Sequence, residues 1–65
     1  MPIDELHDVN EQILIAEDRI AEQKMRVVGL EQEGRDASPA RQKLLFLENS
    51  LSLLNSRRNM LMREA

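Results

Sequence analysis

Along the first half of this chain, seam-like positions recur at alternating intervals of three and four residues: Leu6, Val9, Ile13, Ala16, Ile20, Gln23, Val27 and Leu30. Seven of the eight are apolar, and the run covers four heptads. That period belongs to a coiled-coil helix; a strand would alternate at every second residue. Ala40, Leu44, Leu47, Leu51, Leu54, Arg58 and Leu61 repeat the pattern in the second half. The stretch between Pro2 and Gly34 is rich in Glu, Gln, Ile, Leu and Ala, and both stretches are composed of good helix formers.

Little interrupts the two stretches. Gly34 stands where the first helix must end, since a residue just past a helix C-terminus adopts a left-handed backbone that penalises a Cβ. Ser38 and Pro39 read as an N-cap followed by the first helical residue, where the missing N–H of proline costs nothing. The expected fold is all-α: a two-helix antiparallel coiled-coil hairpin with helices over about 3–33 and 39–63, one unit spanning 1–65. Folding the seams about the turn sets Leu30 on Leu44, Val27 on Leu47, Gln23 on Leu51 and Ile20 on Leu54. The same register puts Arg58 opposite Ala16, with room for its stem to reach outward toward Glu17, and Ile13 opposite Leu61.

Charge is segregated between the halves. Residues 1–34 hold nine acids and three bases, a net of −6; residues 35–65 hold three acids and six bases, a net of +3. Antiparallel packing brings Asp4, Glu5 and Asp8 beside Arg57, Arg58 and Arg63, so the asymmetry is explained within the hairpin. The net charge of −3 argues against a polycation that coats nucleic acid. The longest apolar run is Leu44 to Leu47, far short of a membrane span, and no basic-then-apolar leader opens the sequence. A cytoplasmic protein that does not engage membranes is expected. With no cysteine, disulfides and thiolate metal sites are excluded.

Two helices alone make a thin core, and small chains without disulfides or metals usually gain stability by oligomerising. A second apolar line provides the surface. Leu14, Ala21 and Val28 repeat every seven residues on the first helix, with Ile15 and Met25 beside them; Phe46, Leu53 and Met60 repeat on the second, flanked by Leu45 and Met62. Gly29 beside Val28 permits close approach of another helix. Self-association as a dimeric four-helix bundle is expected, with Leu14, Val28, Phe46, Leu53 and Met60 at the interface.

Catalytic chemistry finds no footing. His7 is the sole histidine; Asp4 and Glu11 share its helical face, but the inward positions are apolar and Glu48 is the one interior-distance acid of the second helix. No Gly-rich phosphate loop is present, and two helices enclose no substrate pocket. A non-enzymatic protein without a cofactor, binding itself and serving as an adaptor for a larger protein, is the expectation. The alternative is a small RNA-binding regulatory hairpin of the kind that dimerises as a four-helix bundle, using Arg41, Arg57, Arg58 and Arg63. Acidic residues of the first helix compete with that use, and Phe46 is the only ring available for stacking. In the seam, Gln23 and Arg58 read as polar interruptions that set register and oligomer state.

The stretch Ala16, Arg19-Ile20-Ala21, Gln23, Val27, Leu30-Glu31, Gly34, Asp36 and Ala40-Arg41 follows the pattern A-x-x-R-I-A-x-Q-x-x-x-V-x-x-L-E-x-x-G-x-D-x-x-x-A-R. In this it resembles a set of small, mostly alphaproteobacterial helical-hairpin proteins, over roughly residues 16–54. Arg19, Gln23, Gly34, Asp36 and Arg41 are the specific part, because leucines match any coiled coil. Phe46-Leu47 departs from the pattern, in which an aromatic often takes the second of these places. The resemblance implies a helical hairpin and carries with it no activity, substrate or cofactor. It leaves open whether those polar residues are structural or recognised by a partner.

Overall fold

The computed structural model describes the backbone of residues 2–64 and the side-chain environments of residues 4–64; Met1 and Ala65, the ends of the expected unit, lie outside the described residues. Two helices account for nearly all of it: α1, Pro2–Gln32, and α2, Ser38–Glu64. All four helix ends fall within a residue of those expected from the sequence. They pack side by side as a hairpin rod of 49 × 14 × 11 Å. The 31 residues of α1 at about 1.5 Å each account for its length.

The turn is built from its own hydrogen bonds. Gly34 has φ 71°, the left-handed conformation expected of it. Its N–H donates to the Glu31 carbonyl at 3.1 Å, and the Arg35 N–H to the Leu30 carbonyl at 2.9 Å. Together they close a Schellman motif that satisfies carbonyls left over at the end of α1. An alanine at Gly34 meets no clash with other atoms, so its cost is the backbone conformation alone, about 1–2 kcal/mol.

The start of α2 differs from expectation. Ser38 is the first helical residue and not the cap; the Asp36 carboxylate accepts the Ser38 N–H at 3.0 Å, while the Arg41 N–H donates to the Ala37 carbonyl. An Asp two residues ahead of a helical N–H makes an Asx turn, and a carboxylate is a stronger acceptor there than a hydroxyl. Pro39 still lies in the first turn, where an N–H would have no intrahelical partner.

The core is one seam. Val9, Ile13, Ile20, Val27, Ala37, Ala40 and Leu61 are buried, and Leu44, Leu47, Leu51 and Leu54 half-buried. Near the turn, Val27 clusters with Ala37 and Ala40, and Leu30 and Leu44 pack against them; toward the free ends Val9, Ile13 and Leu61 cluster with Leu6, Leu51 and Leu54. These contacts correct the expected register by one heptad. Leu30 is level with Ala37, Val27 with Ala40 and Gln23 with Leu44; continuing along the heptads, Ile20 meets Leu47, Ile13 meets Leu54 and Leu6 meets Leu61. A leucine repeat fits itself equally well after a slide of seven residues, so the leucines could not choose. Two other features do. Ala37 stands three residues before Ala40 and extends the seam into the turn, where two small side chains let the helices close. Gln23, buried in the seam, donates from Nε2 to the Ala40 carbonyl at 2.9 Å. The expected register slides this amide about 10 Å along α2, against Leu51 and out of reach of that carbonyl, and an unsatisfied buried amide costs about 1–3 kcal/mol.

The slide also moves Arg58. It is level with Val9, only 2% exposed, and not with Ala16. Its stem is half-buried, its Nε is buried without a hydrogen-bond partner, and it forms no ion pair with Glu17.

Candidate interaction surfaces

Seen from the seam, each helix turns residues to one of two sides. Glu31 and Arg41, which directly follow seam residues Leu30 and Ala40, meet in a hydrogen-bonded ion pair of 2.9 Å. Ile15 and Phe46, which directly precede Ala16 and Leu47, border one shallow hollow between the helices together with Arg19, Ser50 and Leu54. In an antiparallel pair, then, residues that follow the seam share one side of the hairpin and residues that precede it share the other.

This rule divides the expected self-association surface. Leu14 and Val28 follow Ile13 and Val27 and lie on the ion-pair side, with Leu45 and Met62. Phe46, Leu53 and Met60 precede Leu47, Leu54 and Leu61 and lie on the opposite side, with Ile15. All are solvent-exposed in the hairpin: Leu14 by 64%, Phe46 by 68% and Leu53 by 72%. Five residues expected in one interface therefore form two stripes, one on the outer surface of each helix. The sequence held the signal, since Leu14 comes after a seam residue and Phe46 before one, but its meaning depends on the two helices running antiparallel.

The four arginines of the RNA-binding alternative are not gathered either. Arg41 is held by Glu31 on one side, Arg57 lies on the other, Arg58 is in the seam, and Arg63 is exposed near the end of α2. Among the described residues no group of three or more His, Cys, Asp or Glu side chains is placed to hold a metal ion, and no helix is long and apolar enough to cross a membrane. His7 is exposed near the start of α1.

The polar residues of the resembling pattern converge on the turn. Gln23 bonds to Ala40, Gly34 takes the left-handed conformation, Asp36 receives Ser38 and Arg41 clasps Glu31. The N–H bond from Ser38 holds the Asp36 carboxyl below the ordinary carboxylate range, with the Ser38 side chain and the Arg41 charge acting in the same direction. These residues fasten one helix to the other. Arg19 differs, making neither ion pair nor side-chain hydrogen bond among the described residues while bordering the hollow beside Phe46.

Comparison with protein-family models, with curated proteins and with solved structures finds no match to this chain.

Proposed function

We propose that the protein is a non-enzymatic interaction module of the cytoplasm, a helical hairpin that self-associates through an outer apolar stripe and offers the other to a larger protein. Its kinship with the alphaproteobacterial hairpins it resembles is part of the same proposal. The observation that carries this reading is the exposure, on so small a rod, of nine large apolar side chains outside the seam among the described residues. They are not scattered: four lie on each side and Met25 on the back of α1, so that each side of the rod presents an apolar stripe to solvent. The hydrogen-bonded polar residues are spent on holding the turn, which leaves packing as the chemistry the surface offers.

The test is solution mass by light scattering on a column, over about a tenfold range of concentration. The expected result is a mass of about two chains or a larger multiple, each chain being 7.5 kDa. A single-chain mass throughout overturns self-association.

A further inference from the structure

The exposed outer surface of α2 is unlike that of α1 in one respect. From Gln42 to Met60 the outward positions are Gln42, Leu45, Phe46, Asn49, Ser52, Leu53, Ser56, Asn59 and Met60, all exposed and none charged. The charged residues of that span, Lys43, Glu48, Arg57 and Arg58, take flanking or seam positions. The outward positions of α1, by contrast, include Asp4, Asp8, Glu11, Asp18 and Glu22. A solvated helix normally carries its charges outward, and loss of charge with retention of large apolar side chains is the mark of an interface core.

Resting on the self-association reading above, we infer that the second copy of this chain packs on the outer face of α2, antiparallel, about a two-fold axis beside Leu53. The face is its own complement, as a closed two-fold contact requires. Phe46 and Met60 lie seven residues to either side of Leu53, so each Phe46 comes within one helical turn of Met60 from the other copy and the two Leu53 side chains adjoin. Asn49 and Ser56 fall between them as uncharged partners. At the rim the same operation brings Lys43 within a turn of Glu64 from the other copy, twice over, and neither forms an ion pair within the hairpin among the described residues. It also keeps the two α1 helices on the far sides of the assembly. Each α1 carries eight acids and three bases over Pro2–Gln32, a net of −5, and a contact between two of them opposes like charges. The Leu14 and Val28 stripe remains outside this contact.

Five chains decide it by solution mass against concentration: the native protein, Leu53→Glu, Leu14→Glu, Lys43→Glu and Glu64→Lys. Leu53→Glu, which sets two carboxylates together at the axis, is expected to give a single-chain mass with helical circular dichroism retained; Leu14→Glu is expected to leave the dimer intact. Lys43→Glu and Glu64→Lys are each expected to weaken the dimer about tenfold, and an equimolar mixture to restore it as a heterodimer. The two positions are about 31 Å apart along one helix, so restoration reports a contact between copies. A native dimer that survives Leu53→Glu, that is lost in Leu14→Glu, or whose charge-reversed chains do not recover on mixing overturns the placement while leaving self-association standing. A native monomer overturns self-association itself.

Discussion

Arg58 shows how much a single seam residue depends on its neighbour across the interface. Level with Val9, it loses water from Nε without gaining an acceptor. A buried donor in that state costs on the order of 1 kcal/mol or more, and an apolar side chain of similar reach has no such cost. Arg58→Leu is therefore expected to stabilise the hairpin by about 1 kcal/mol, raising the melting temperature by roughly 4–8 °C for a chain of this size. Thermal unfolding by circular dichroism checks it, and a lower melting temperature would show that Arg58 holds something in place. Gln23 is the opposite case: equally polar in a seam, it finds the Ala40 carbonyl and so contributes orientation at little cost.

At the scale of the element, the turn is where sequence chemistry is densest. Gly34 ends α1, Asp36 begins α2, and the Glu31–Arg41 pair ties the last turn of one to the first turn of the other. The Asp36 carboxyl titrates below its ordinary range because its charged form accepts the Ser38 N–H. A group whose folded pKa is depressed lends stability that is complete above its unfolded pKa, near 3.9, and that disappears as pH falls through the folded value. Asp36→Asn keeps an acceptor but has no proton to take up. The native protein is thus expected to be the more stable of the two at about pH 6, with the difference shrinking steadily as pH falls below about 4. Melting curves of both proteins across that range would expose an error in the capping role as a constant difference. Helix periods, the glycine stop and both boundaries were legible in the residues beforehand. The cap was not, because Ser-Pro and Asp-x-Ser are both good helix openings and only the path of residues 35–37 selects between them.

The hairpin is a rod with a single seam, and every described residue not in that seam is close to solvent. Such a hairpin gains most from any surface it can cover. If a second copy binds the folded chain and not the unfolded one, unfolding is linked to protein concentration by mass action. The melting temperature is expected to rise with concentration for the native protein, and to be independent of it for Leu53→Glu. Equal concentration dependence in the two would remove α2 from the interface. The same geometry accounts for the divided surface: two stripes that a linear reading adds together point away from each other once the chain doubles back.

Periodicity and local chemistry by themselves determined that the chain is helical, that it turns at Gly34, that the turn is short and that the seam residues are inside. These properties follow from positions three, four or seven apart on one helix, where the geometry is set by the backbone alone. Register and sidedness were decided by the tertiary structure. A heptad repeat is degenerate under a slide of seven residues, and only the meeting of Gln23 with Ala40, and of Val27 with Ala37 and Ala40, breaks the degeneracy. Which apolar stripe faces which way then depends on the antiparallel approach of two helices, a relation that exists only once they pack.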